Sequence, residues 1–427
     1  MTSLLSYLLT LMALFSFATQ ANAVDFFIPV DAYTPSAKTS TADNSPQPRL
    51  SEIAYRQFQP IQKQISAKNY DQALNSLNLL AKRYHNKPYA VSIAMNSAAY
   101  IYIAQEAYPK AIIWMARTLA LSAMSSAELQ TIRHDLSQLQ LQAEEYQNAA
   151  NTMNIWLKAA KPAAMRASDY QFLAIAEFHL EHYKASKQAA QKGLSLPKQP
   201  SDKQTSEPLY QLILSCDLAL KHYQNAQKTL TTLVKLNPTK KNYWQQLAGV
   251  HDVLEQPKQA LAIFELMAQR AMLNSEPERI QYIQRLIHQS NSFKAASKLN
   301  QYIQTDEVKD SAENRLLLAD AWERSGENTN AIELLKSLPL KQALSRLVRI
   351  YASEQNWQKL ADLLEPQLKD PITTINESLF LQLGYALNKL GKFQKAIQVF
   401  SKFRNSKEIS KESKKSANDW VTYLEAQ

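Results

Sequence analysis

The sequence predicts an all-α protein, a solenoid of about ten helix-turn-helix pairs closed by a C-terminal capping helix. Three observations predict it: paired amphipathic patterns between Asn242 and Met272, their recurrence at a near-constant step, and a scarcity of glycine. In NYWQQLAGVHDVLEQPKQALAIFELMAQRAM the first pattern carries Trp244, Leu247, Ala248 and His251. The second carries Ala260, Phe264 and Met267. Steps of three and four put each set on one helix face. Small Ala248 and Ala260 let the two helices approach, and Trp244, Leu247 and Phe264 fill the space between them. One such hairpin cannot bury its own apolar faces, so the unit requires neighbours of its own kind.

The neighbours are present. An aromatic followed three positions later by a small residue recurs at Tyr70/Ala73, Tyr108/Ala111, Tyr146/Ala149, Tyr183/Ser186, Tyr223/Ala226, Phe293/Ala296 and Phe393/Ala396. Pro257/Ala260, Asn328/Ala331 and Trp357/Leu360 are degenerate forms. Successive steps are 38, 38, 37, 40, 34, 36, 35, 29 and 36 residues. This matches the tetratricopeptide repeat, whose W-x2-L-G-x2-Y…A-x3-F pattern returns about every 34 residues. The 29-residue step from Asn328 to Trp357 is the irregular one and points to a truncated repeat.

In chain order, residues 1–23 contain no charged side chain, Leu4 to Ala18 is a short apolar run, and Ala21-Asn22-Ala23 is a small-x-small site. This reads as a signal peptide cleaved before Val24, and export disfavours nucleic acid as a partner. No later segment is apolar enough to span a bilayer, so no transmembrane segment is expected after cleavage. Residues 24–50 read as a disordered linker, with Pro29, Pro35, Pro46 and Pro48 among small polar residues. Phe26-Phe27-Ile28 is its one apolar patch. Residues 51–408 read as the repeat solenoid and residues 409–427 as the cap. Only five glycines occur in the whole chain, which disfavours hairpin-rich strands. Prolines such as Pro60, Pro162, Pro197, Pro208, Pro238, Pro277 and Pro366 are expected at joints. Pro197 to Pro208 is a polar insertion that lengthens one step to 40. The last full repeat aligns Phe380, Leu383, Gly384, Phe393, Ala396 and Phe400 with the pattern. In the cap, Ala417, Trp420, Val421 and Leu424 form one stripe.

No catalytic constellation is present: no Gly-rich phosphate loop, H-E-x-x-H, G-x-S-x-G or paired-Cys motif. The chain therefore reads as non-enzymatic, with no cofactor. The lone Cys216 is expected in the core. His182 and His222 share a repeat position near His179, but polar turns commonly hold unliganded histidine, and no metal is expected. What remains is surface. The first helices are expected to line a concave face with Asn96, Tyr100, Gln211, Gln245, Gln281, Arg285 and Tyr385, a polar and aromatic set suited to a peptide or loop. Lys389 to Lys415 carries nine basic residues against two acidic ones, +7 of the chain's +10. Lys402, Arg404 and Lys407 are its candidate contacts for an acidic partner.

The segment Lys240-Lys241-Asn242-Tyr243-Trp244-Gln245-Gln246-Leu247, the preceding Tyr223-x-x-Ala226 hairpin and the terminal Ser416-Ala417-x-x-Trp420-x-x-Tyr423 resemble a family of exported tetratricopeptide proteins. That family is associated with TonB energy-transduction systems of marine gamma-proteobacteria. The likeness runs best from Tyr210 to Ile303 and at the C-terminus; Pro257 departs from the family's aromatic. The resemblance implies a periplasmic protein beside TonB, ExbB and ExbD, an assembly that drives iron-carrier or haem uptake. Two other functions stay open on the residues alone: an adaptor for outer-membrane or polysaccharide assembly, and a periplasmic enzyme with an unrecognised site. The sequence leaves the oligomeric state open.

Overall fold

The computed structural model describes residues 48–197, 206–369, 377–405 and 411–426. The expected signal peptide, Phe26 to Ile28 and Lys407 lie outside them. The chain divides into two compact units, Met1–Leu236 and Asn237–Gln427. Among the described residues all regular structure is helical.

Among the described residues the first unit holds five helix pairs: α1 (Glu52–Ser66) with α2 (Tyr70–Arg83), α3 (Pro88–Ala104) with α4 (Tyr108–Leu121), α5 (Ser126–Gln142) with α6 (Tyr146–Ala159), α7 (Ala167–His179) with α8 (Tyr183–Ser195), and α9 (Ser206–Ala219) with α10 (Tyr223–Leu236). The second holds five more and a final helix: α11 (Lys241–Val253) with α12 (Pro257–Gln269), α13 (Glu276–His288) with α14 (Ser292–Gln304), α15 (Ala312–Arg324) with α16 (Asn328–Lys336), α17 (Leu340–Ser353) with α18 (Trp357–Leu364), α19 (Glu377–Lys389) with α20 (Phe393–Arg404), and α21 (Lys411–Glu425). Within each unit a helix packs on its pair-mate and then on the first helix of the next pair. This is the tetratricopeptide arrangement of helix-turn-helix repeats.

The recurring small residue is the point of closest approach. Ala73, Ala111, Ser186, Ala226, Ala260, Ala296, Ala331, Leu360 and Ala396 are all fully buried, and Ala149 nearly so. Trp244 lies 5% exposed, and its indole N–H donates to the carbonyl oxygen of Pro238 at 3.0 Å. Phe264 and Met267 are buried beside it.

The turn inside each pair uses a left-handed residue two positions before the second helix. Lys68, Glu106, Glu144, Glu181, Lys221, Glu255, Ser290 and Gln355 take it without being glycine; Gly326 and Gly391 take it as glycine. At the first turn Lys68 N–H donates to Ile65 O and Asn69 N–H to Gln64 O, each at 2.9 Å. That is the Schellman pattern, which satisfies the carbonyls left over at a helix C-terminus.

The short step has a simple cause. Helix α16 runs only nine residues, and Leu340 opens α17 after the Leu338-Pro339 turn. The second helix of that repeat is shortened. One expectation needs correction: Pro60 is no joint but lies inside α1. Its ring faces solvent, so the Arg56 carbonyl that it deprives of a donor can be met by water.

Candidate functional site

The sequence-predicted first-helix residues are largely engaged with the next repeat. In the first unit, Tyr100 on α3 donates its hydroxyl to Asp135 Oδ2 on α5 at 2.5 Å. His134, beside Asp135, meets Asp169 Oδ1 on α7 through Nε2 at 2.9 Å, and its ring lies 4.7 Å from that of Trp156. The Asp135 and Asp169 carboxylates raise the His134 pKa to about 9, against the lowering effect of burial. Burial, with the bond to Asp135, pushes the Tyr100 phenol well above its ordinary value. Asn96, one turn from Tyr100, keeps a buried Oδ1 without a hydrogen-bond partner. Gln211 is exposed on α9.

In the second unit the same face forms a ladder. Gln245 on α11 donates to Glu278 on α13 at 2.8 Å, and Lys241 pairs with the same carboxylate at 2.8 Å. Arg285 on α13 reaches back to Asp252 on α11 with two bonds, at 2.8 and 2.5 Å, while its guanidinium covers the Phe264 ring at 4.6 Å. Gln281 is exposed on α13. At the basic end Lys402 is exposed, and Arg404 donates to Asn418 Oδ1 at 3.0 Å, tying α20 to α21.

Tyr385 behaves differently. Its ring meets Trp357 edge to face at 5.4 Å and 81°, and Trp420 at 5.9 Å and 77°. These three half-buried rings, with Ala352, Leu360, Leu381 and Gln382, line a cleft of about 320 Å³ in the second unit. Gln382 Oε1 is buried and has no hydrogen-bond partner. Trp357 comes from the start of α18, Gln382 and Tyr385 from α19, and Trp420 from α21, so two successive repeats and the final helix build the walls. Sequence reading placed Trp357 as a degenerate repeat marker and Trp420 in the cap stripe, and did not join them to Tyr385. The available signal was their spacing, each about one repeat from the next.

The remaining candidates have local partners. His182 Nδ1 meets Glu177 Oε2 at 2.9 Å, His222 Nδ1 lies 3.7 Å from Asp217 Oδ1, and His179 stacks on Tyr146 at 4.2 Å. Cys216 is buried, donates to Ser186 Oγ at 3.3 Å, and has its pKa raised by burial. Among the described residues no group of His, Cys, Asp and Glu is placed to hold a metal ion, and no helix is long and apolar enough to cross a membrane.

No protein-family profile and no curated protein matches this chain. Solved structures do. A tetratricopeptide repeat protein from Parabacteroides merdae is 13% identical, with 64% of this chain and 99% of that one covered and a TM-score of 0.35. The C-terminal part of a repeat-containing protein from Cytophaga hutchinsonii is 16% identical over 65% and 99%, with a TM-score of 0.38. Naa15/Naa10 bound to HypK-THB is 14% identical over 88% and 67%, with a TM-score of 0.45. These likenesses are weak in sequence and superposition, and the fold class stands on the helix pairs themselves.

Proposed function

We propose that this protein is a non-enzymatic interaction scaffold that works in the periplasm as an accessory to a TonB–ExbB–ExbD system for iron-carrier or haem uptake. The observation that carries the interaction reading is the Trp357–Tyr385–Trp420 cleft. Three half-buried rings from separate helices leave apolar surface that the fold itself does not cover. The first-helix ladders support the same reading from the other side. They spend polar groups on holding successive repeats together, as a rigid platform requires. The compartment and the TonB association rest on the export signal and on the family resemblance in the sequence.

The test is affinity capture with the tagged full chain from cell envelopes, followed by identification of the bound proteins. Recovery of TonB, ExbB or ExbD, together with slowed iron-carrier uptake in a deletion strain, is the expected result. Capture of outer-membrane or polysaccharide assembly proteins instead, with uptake unchanged, would reject the TonB assignment.

A further inference from the structure

We infer that the end of the first pair, where α1 starts and α2 runs on into α3, is a contact site for an anionic lipid bilayer. Aliphatic side chains enter the headgroup boundary there, and the surrounding cations meet the lipid phosphates. The inference goes beyond the scaffold reading and does not depend on it.

Apolar exposure marks the place. Leu79 and Ile53, at 69% and 68%, are the two most exposed large apolar side chains among the described residues. A single exposed aliphatic would need no explanation. These two lie at the same end of one pair. Tyr84, the cap of α2, donates its hydroxyl to Gln57 Oε1 on α1 at 3.2 Å. Ile53 is one turn from Gln57, on the same face of α1 and nearer its start. Leu79 is one turn from Arg83, the last residue of α2.

Charge surrounds them. Arg49, Lys82, Arg83 and Lys87 are exposed, and none is held in an ion pair among the described residues. Lys82 and Arg83 follow Leu79 by three and four positions, so the three share one face of α2. The acids beside them are engaged: Glu52 pairs with Arg56 at 2.5 Å, and Glu128 accepts from Tyr89 of α3 at 2.9 Å. Asp71 lies at the opposite end of α2. The same edge of the unit carries a second, smaller instance where α6 ends, with Ile155 54% exposed beside exposed Lys158 and Lys161.

The composition selects lipid. Protein interfaces are poor in lysine and rich in aromatic residues, whereas this patch is built from lysine, arginine and aliphatic groups. Nucleic acid would use the cations and leave Ile53 and Leu79 in water. A bilayer uses both: basic heads reach the lipid phosphates while their stems and the aliphatic groups lie at the acyl boundary.

The test is co-sedimentation of the full chain with vesicles of equimolar phosphatidylglycerol and phosphatidylcholine, against vesicles of phosphatidylcholine alone. Every variant shares the residues outside the patch, so other lipid contacts cancel in the comparison. Stronger binding to the anionic vesicles is expected, and about 1 M salt should remove the difference. Lys82→Gln, Arg83→Gln and Lys87→Gln together should weaken binding about tenfold or more, since each cation near such a surface contributes about fivefold. Ile53→Gln with Leu79→Gln should weaken it about three- to tenfold and keep the salt dependence. Lys184→Gln, Lys221→Gln and Lys228→Gln remove the same charge elsewhere in the unit and should leave binding nearly intact. All these side chains are exposed, so thermal unfolding should not move. Equal binding to the two kinds of vesicle, or equal losses from the two charge-removing variants, would overturn the inference. So would wild-type binding by the Ile53 and Leu79 variant, because the contact would then be one of charge alone. Polyglutamate bound through Lys82, Arg83 and Lys87 while the vesicles stay unbound would give the patch to an acidic protein instead.

Discussion

Phe400 occupies the space that a side chain at Gly384 would need: a Cβ there would fall 2.3 Å from the tip of the ring. The same ring stacks on Trp420 at 5.5 Å and 8°. Glycine on α19 thus seats a ring from α20, which in turn backs a wall of the cleft. Gly384→Ala gains about 1 kcal/mol of helix propensity, but overpacking costs about 1–3 kcal/mol. Phe400 is fully buried and has little freedom to swing aside. A net loss of up to about 2 kcal/mol is expected in urea unfolding, along with a shift in tryptophan emission. A variant as stable as the wild type would show that Phe400 can relocate.

Trp244 tests the register of the repeats. Truncation to alanine should cost about 3–5 kcal/mol, the usual loss for a large core aromatic. Trp244→Phe should cost less, since it keeps a ring but gives up the bond to Pro238. Because neighbouring repeats stabilise one another, hydrogen exchange should quicken in α12 and α13 as well as α11. Exchange confined to α11 would contradict that coupling.

The left-handed turns invite a gain of stability. Glu255 sits at φ 57° with its side chain in solvent. A non-glycine residue in this conformation costs about 1–2 kcal/mol, partly offset by glycine's greater freedom in the unfolded chain. Glu255→Gly should raise stability by about 0.5–1 kcal/mol. Gly326→Ala, at φ 83°, should lower it. Opposite signs in thermal unfolding are the expected readout.

His134 gives the first unit a pH dependence of known sign. Its pKa rises from 6.5 to about 9 on folding, so the folded state binds its proton more tightly. The contribution is complete below the unfolded value and is lost as pH climbs through about 9. Between pH 6.5 and 9 the wild type should lose thermal stability, and His134→Gln should lose less over the same interval. Parallel profiles would mean that His134 is not held charged by Asp135 and Asp169.

Much of the fold was legible in the sequence because its signal is local. The Tyr70/Ala73 type of marker needs only three residues and a period, and the buried alanines follow from it. The turns were only half legible. Scarce glycine correctly indicated helices, yet it concealed left-handed residues at Lys68, Glu144 and Lys221 that hydrogen bonding, not composition, holds in place. Pro60 was misread because a proline reports a missing donor and says nothing of whether water can replace it. Tyr385 was legible as a surface residue, but its companions were not. Trp357 belongs to the preceding repeat and Trp420 to the final helix, and only the tertiary structure sets their rings at right angles to Tyr385. Gln382 gave no signal, since an unmet acceptor is a property of surroundings.

The ladders have a kinetic consequence. Their bonds join residues 33 apart at Gln245 and Glu278, 35 at Tyr100 and Asp135, and 39 at Tyr89 and Glu128. Each distance is about one repeat, so the loop closed in forming such a bond is set by the repeat and does not lengthen with the chain. The entropy of loop closure is therefore met in small, equal instalments, and low contact order speeds folding. A chain that emerges N-terminus first can complete α1 with α2 and dock α3 while its distant residues are still unfolded.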